Sequence, residues 1–146
     1  MFSGVLTHNL DDKKRLNIPS NWRVEVGIPD RTFVMKGFKS EPCLYVFPKR
    51  IITERLSFIK NARVTDDRYR YFTRTLGESS AEVPCDSQGR IRIPDNLLEY
   101  AVLSGPVFML GCTDRFELWR PDNRDSHKQV KETQSTLDHV AEELGF

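Results

Sequence analysis

The strongest constraint on the fold of this chain is a phrase it uses twice. Residues 11–19 read "DDKKRLNIP" and residues 86–94 read "DSQGRIRIP". At an offset of 75 residues Asp11, Arg15, Ile18 and Pro19 recur as Asp86, Arg90, Ile93 and Pro94. The flanks follow the same offset. "TFVMK" (32–36) lies under "VFMLG" (107–111) and, with three residues deleted, "LYVF" (44–47) lies under "FELW" (116–119). Each half therefore reads as turn, short strand, proline, short helix, strand, turn, strand, then a polar helical tail. Units of about 70 residues are marginal alone, so two such units in one chain of 146 residues are expected to share a core.

Local chemistry supports that order. In "RLNIP" and "RIRIP" polar and apolar residues alternate, which places Arg15 and Asn17 on one face and Leu16 and Ile18 on the other. Arg90 and Arg92 stand against Ile91 and Ile93 in the same way. Pro19 and Pro94 end the strands because proline cannot donate to a ladder. Ser20 and Asp95 are expected to cap the helices that follow. Gly27–Pro29 and Gly105–Pro106 punctuate the turns before the next strands. Ile52, Leu56 and Ile59 have helical spacing, as do Tyr69, Phe72 and Leu76, and Thr65 with Asp66 and Asp67 makes a helix start. "GESS" (77–80) reads as a linker between halves. From about residue 122 the chain is helical and polar, with Val130, Leu137, Val140 and Leu144 forming a stripe expected to dock on the protein's own core; a partner helix or neighbouring subunit is the alternative.

Charge is unevenly spread. Residues 1–78 hold 15 Lys/Arg against 9 Asp/Glu, and residues 79–146 hold 7 against 12, although the whole chain carries only +1. A basic first half points to a polyanion-facing surface, with an unevenly charged solvated face as the bland alternative. The cations gather at the turns: Lys13, Lys14 and Arg15 in the first, Arg90 and Arg92 in the second. Lys and Arg at a turn tip can meet phosphates, and Arg can bind guanine edges bidentately. Asp11 and Asp86 read as structural, each bonding its own turn and pairing with the arginine four residues on. For the arginines themselves, spacing leaves contact with a ligand and closure of the turn both open.

Other functions find little footing. Three cysteines without a CxxC pair give neither a disulfide framework nor a zinc ribbon, and reduced thiols in a cytosol are the simple expectation. No apolar run approaches the ~18 residues a membrane span needs, and the first residues lack the order of a signal peptide, so a cytoplasmic protein is expected. His127 and His139 would lie roughly 18 Å apart on one continuous helix, too far to share a metal. No HExxH, GxSxG or phosphate-loop signature is present. Cys85 is expected to be packed. Catalysis, metal, cofactor and small-molecule substrate are therefore not expected.

"LDDKKRLNIP" (10–19) and "CDSQGRIRIP" (85–94) resemble the twin Asp-x-x-Gly-Arg signatures of the MraZ family of bacterial transcriptional regulators; "CLYVFP" (43–48) and "FELW" resemble the strands of its two repeats. The resemblance implies an α+β fold with a mainly β core: two pseudo-symmetric AbrB-like swapped-hairpin β units, here 1–78 and 79–146, fused into one β-barrel-like domain with surrounding helices. It implies ring-shaped homo-oligomers that bind promoter direct repeats in double-stranded DNA upstream of the division and cell-wall gene cluster, in the cytoplasm at the nucleoid. It places Arg15 and Arg90 on DNA, with Lys13 from the basic position of the first signature; Lys14 and Arg92 complete the candidate DNA-binding set. An antitoxin-like protein acting through a protein partner is the alternative, since related swapped-hairpin units serve that role. One departure stands out: the family's glycine is kept as Gly89 but is Lys14 in the first signature. A lysine in a left-handed backbone costs roughly 1–2 kcal/mol, so the first turn either takes another shape or bears the strain to gain a cation. Lys49, Arg50, Arg68, Arg70 and Arg74 are expected either to widen the DNA surface or to form salt bridges between subunits.

Overall fold

A computed structural model describes residues 1–27, 30–60 and 66–146, with the backbone alone at 58 and 60. The two halves lay down the same elements in the same order. The first gives β1 (Val5–Asn9), β2 (Arg15–Asn17), α1 (Ser20–Val26), β3 (Arg31–Lys36), a 3₁₀ turn (Phe38–Ser40), β4 (Cys43–Pro48), α2 (Lys49–Lys60) and α3 (Asp67–Glu78). The second gives β5 (Ser80–Pro84), β6 (Arg90–Arg92), α4 (Asp95–Ala101), β7 (Pro106–Cys112), β8 (Arg115–Trp119), α5 (Pro121–Lys131) and α6 (Gln134–Glu143).

Six strands form one antiparallel sheet in the order β1-β7-β8-β4-β3-β5, and β2 pairs with β6 in a separate two-stranded ribbon. The first strand of each half thus completes the strand pair of the other: β1 lies on β7, and β5 lies on β3. Neither half closes its core without the other, as the marginal size of each unit requires. The sheet does not close into the expected barrel. Its edges are β1 and β5, and the strands that could have bridged them, β2 and β6, spend their hydrogen bonds on each other.

β4 and β8 run through the middle, covered on both faces, so nearly every residue in them is buried. On one face Leu44, Val46, Phe116 and Leu118 join Leu16, Ile18, Trp22, Ile91, Ile93 and Leu97 from the ribbon and from α1 and α4. Phe2, Trp22 and Phe116 pack edge-on and tilted against one another at ring separations of 5.0–5.8 Å. On the other face Cys43, Tyr45, Phe47 and Trp119 meet Ile51, Ile52 and Leu56 of α2 and Leu76 of α3. That face buries one carboxylate, Glu117, which accepts from Arg115 Nη2 at 2.7 Å and from Trp119 Nε1 at 2.9 Å. A buried charge needs this pairing.

Several local expectations are corrected. Ser20 and Asp95 do not cap: Pro19 and Pro94 hold the capping position, their carbonyls accepting the first helical N–H bonds, and neither following side chain makes a cap bond. Asp66 caps α3, accepting from the backbone N–H of Arg68, while Thr65 and the Ile28–Pro29 part of the first turn lie outside the described residues. "GESS" is no linker, because α3 runs to Glu78 and β5 starts at Ser80. The tail is not one helix. Glu132 ends α5, and the Thr133 side chain caps α6 by accepting from Thr136 N–H. Its apolar stripe does not dock on the core: Val130, Leu137, Val140 and Leu144 are all exposed. Cys85 is packed, as expected; Cys43 is also buried and Cys112 partly so, and all three are free thiols.

Leu16 and Ile91 face each other at the centre of the ribbon with no exposed surface. Leu16→Ala is expected to cost about 2–5 kcal/mol in a urea denaturation, as a core residue would, and not the few tenths of an exposed loop.

Candidate nucleic-acid interface

The two signatures fold into matching turns. In the first, Asp11 N–H donates to Arg15 O at 3.0 Å and Lys14 N–H to Asp11 O at 2.9 Å. In the second, Asp86 N–H donates to Arg90 O at 2.9 Å and Gly89 N–H to Asp86 O at 3.0 Å. Each aspartate holds its turn with one carboxylate. Asp11 accepts from the backbone N–H of Lys13 at 2.9 Å and of Arg15 at 2.8 Å, and from Arg15 Nε at 2.7 Å. Asp86 does the same with Gln88 N–H, Arg90 N–H and Arg90 Nε at 2.9, 2.9 and 2.8 Å. The backbone N–H of Arg15, followed by its guanidinium, holds the Asp11 carboxyl below its ordinary range, and Arg90 does so for Asp86.

The structural reading of the aspartates therefore stands, and it fixes the arginines as well. Arg15 and Arg90 each spend Nε on the turn and keep 28% of the side chain exposed. Among the described residues their side-chain bonds use only Nε, and the terminal fork of each guanidinium carries further donors.

Antiparallel pairing of β2 with β6 sets Arg15 opposite Arg92 and Asn17 opposite Arg90. Leu16 and Ile91 turn inward, so all four polar side chains share the outer face of one ribbon. The pairing also puts the two tips at opposite ends. At the first end Lys13, Lys14, Arg15 and Arg92 surround a shallow depression with Asp12. Lys14 Nζ donates to Asp95 Oδ1 at 2.9 Å, and Arg92 Nη2 lies 3.4 Å from the same oxygen. At the second end Arg23 Nε donates to Ile18 O and its Nη2 to Asn17 Oδ1, both at 2.7 Å.

Lys14 answers the question raised by the missing glycine. It adopts the left-handed backbone, φ 59°, beside φ 78° at Gly89. The turn keeps its shape and bears the strain, with the amine tethered to Asp95. At Gly89 a Cβ would stand 2.1 Å from Arg23 Nε, so any other residue there would force the Arg23 side chain to swing away. Asp95, Asn17 and Arg23 belong to the site although only Asn17 had a sequence signal, its place in the alternating strand beside Arg15. Of the basic residues 49–76, Lys49 reaches Glu82 at 3.8 Å, Arg50 Glu25 at 3.9 Å and Arg68 Asp66 at 3.0 Å, and Arg70 pairs with Asp67. These four are engaged within their own chain.

Two predictions follow from the turns. Gly89→Ala should lose about 1–2 kcal/mol from the backbone alone, and more from the collision with Arg23. Lys14→Ala should lose less than 1 kcal/mol, since the strain is already present and an exposed ion pair contributes little. A denaturation double-mutant cycle should show Arg23→Ala recovering part of the Gly89→Ala loss. The second concerns pH. Because the folded carboxyls of Asp11 and Asp86 are depressed, the turn stabilisation they give is complete above the unfolded value near ~3.9. It is lost as pH falls through their lower folded values. The amide shifts of Lys13, Arg15, Gln88 and Arg90 in an NMR titration should hold steady down to about pH 4 and move together below it.

Among the described residues no group of three or more His, Cys, Asp or Glu is placed to hold a metal ion, and no helix is long and apolar enough to cross a membrane. Residues 1–73 and 78–144 each match the family model described as MraZ protein, putative antitoxin-like. The chain is 33% identical over 147 residues to a protein of Clostridium acetobutylicum, covering 99% of this chain and 96% of that one. It is 35% identical over 154 residues to one of Alkaliphilus metalliredigens, covering the whole of both, and 36% identical over 141 residues to one of Mesoplasma florum, covering 91% and 94%. All three are named transcriptional regulator MraZ, a regulator's name and not an enzyme's. Two matches to one model, in the two halves that fold alike, and relatives aligned along nearly the whole chain make this protein a member of the MraZ family.

Proposed function

We propose that this chain is a transcriptional regulator that grips double-stranded DNA with its twin turns. One observation carries the reading: β2 and β6 pair, so that both signature arginines stand on the outer face of a single two-stranded ribbon. A ribbon of this kind fits the major groove of B-DNA. Arg15 and Arg90 are held at Nε and present their forks to phosphates or guanine edges. Lys13, Lys14 and Arg92 add charge at one end, which makes the first tip the richer in cations. Lys14 and Arg92 share Asp95, so a phosphate has to compete with that carboxylate for them.

One ribbon makes few contacts and binds weakly. We read residues 1–78 and 79–146 as two AbrB-like swapped-hairpin units whose chain assembles into a ring. The ring repeats the ribbon along a duplex, and linked contacts raise effective concentration at promoter direct repeats. By the family resemblance these lie upstream of the division and cell-wall gene cluster, which places the protein in the cytoplasm at the nucleoid. The second reading, an antitoxin-like protein acting through a protein partner, draws on the description of the matching family and on the exposed apolar stripe of α6.

A mobility-shift assay on DNA from upstream of the protein's own gene separates the two. Arg15→Ala and Arg90→Ala should keep the mass of the assembly and lose affinity. Each lost phosphate contact should lower the slope of log K against log salt by about 0.9. Unchanged affinity in both variants, with a small protein co-purifying, would favour the antitoxin-like reading.

A further inference from the structure

We propose that helix α6 of one copy of this chain seats in an aromatic groove of a second copy, the groove between the Phe38–Ser40 turn and helix α3. The inference rests on the self-assembly part of the reading above and names the two surfaces that carry it.

The helix comes first. From residue 132 to 146 every side chain is exposed except Ala141, which is half-buried. Leu137, Val140, Ala141 and Leu144 fall on one face at helical spacing. Leu137, Val140 and Leu144 are 55%, 42% and 70% exposed, and Phe146 just beyond is 94% exposed. Asp138 and Glu142 flank this stripe on one side and Glu143 on the other. Residues 132–146 contain four acidic residues and neither Lys nor Arg. α3 is the equivalent helix of the first half, and it packs a half-buried Leu76 against the apolar cluster of the sheet. α6 has no such seat.

α6 is also not a loose end. α5 is fixed to the sheet by His127, whose Nε2 lies 3.0 Å from Glu41 Oε2 and whose ring packs 5.1 Å from that of Trp119. At the corner Arg124 Nη2 donates to Glu132 Oε1 at 2.9 Å, and Thr133 caps the new helix. The fold thus holds an amphipathic acidic helix away from its own core.

The groove has the complementary character. It offers about 460 Å³, lined by Phe38, Tyr71, Phe72 and Leu76, with Lys36 and Lys39 at its side and no acidic residue among the described residues of its walls. Phe38 stacks on Phe72 at 6.4 Å with the rings almost parallel. Lys39 and Ser40 both hold left-handed backbone, φ 53° and 60°, a conformation that costs energy in non-glycine residues. In the same turn Phe38 is 48% exposed, beside Tyr71 at 58%. No side chain of α6 lines the groove of its own chain. An apolar stripe edged by carboxylates matches an aromatic trough edged by ammonium groups, and both surfaces are carried by every copy. Helix and groove are different patches, so the contact is head to tail and propagates from copy to copy until it closes.

The test uses the full chain without DNA, read by light scattering. Wild type should assemble. Val140→Asp with Leu144→Asp should raise the concentration at which assembly begins by about tenfold or more, and so should Tyr71→Asp in the groove. All these positions are exposed, and circular dichroism should show the fold intact. Lys36→Glu with Lys39→Glu should weaken assembly, and adding Glu142→Lys with Glu143→Lys should restore part of it. Under mild oxidation, a mixture of Val140→Cys chains and Tyr71→Cys chains should give a disulfide-linked dimer that neither gives alone. A linked dimer from Val140→Cys alone would mean tail-to-tail pairing and overturn the proposal. So would an assembly mass indifferent to α6, a wild type that stays at 17.0 kDa, or a groove that takes only another protein. The DNA reading fails separately, on the affinity of the Arg15 and Arg90 variants.

Discussion

The meeting of Leu16 with Ile91 holds this molecule's plan together. Each is the single inward side chain of a three-residue strand, too short to persist alone. Paired, they drive one apolar wedge into the core from both halves of the chain. Backbone exchange between β2 and β6 then fixes what stands outside. Since inward and outward residues alternate, burying Leu16 and Ile91 obliges Arg15, Asn17, Arg90 and Arg92 to face solvent. The exposed cationic strip is a by-product of a core contact, which is why it can be rigid without being buried.

The two ends of the ribbon show how a duplicated motif diverges without losing its turn. Both aspartates take the same three bonds, and those bonds define the turn. At the fourth residue the halves differ. Gly89 leaves a hollow that the Arg23 guanidinium occupies, tied to Ile18 and Asn17. Lys14 fills the corresponding place with its own side chain and meets Asp95. A strained backbone at one end and a borrowed arginine at the other both deliver a cation to the turn. Side chains differ across the pseudo-twofold axis, Asn17 standing where Arg92 stands, so the outer face of the ribbon is asymmetric.

The signature turns and the last helices lie at opposite ends of each half. Each turn follows the first strand of its half, and α3 and α6 come last. α3 and α6 occupy equivalent places in the order of elements, yet only α3 settles on the sheet. A helix with an apolar stripe and no seat of its own is held out by the Arg124–Glu132 corner and the Thr133 cap. The groove beside α3 is built with aromatic walls and lysine edges. The cationic ribbon and the aromatic groove are thereby separate surfaces, built from different elements.

The order of elements was legible because alternation, proline and turn chemistry are local, and because a repeat confirms itself. The offset of 75 residues located β2, α1 and β3 against their counterparts, and the aspartate spacing gave the closed turns, whereas β1 and β5, which share no residue pattern, carried no such signal. What lay beyond reach depended on contacts between distant segments. That β2 would pair with β6 and leave the sheet open, that Arg23 would cross to Gly89, and that Asp95 would answer Lys14 in place of capping its helix are outcomes of two halves meeting. The stripe on α6 reads the same in sequence whether it docks at home or abroad. Periodicity reports that a face is apolar, and only the folded chain shows whether anything of its own is left to cover it.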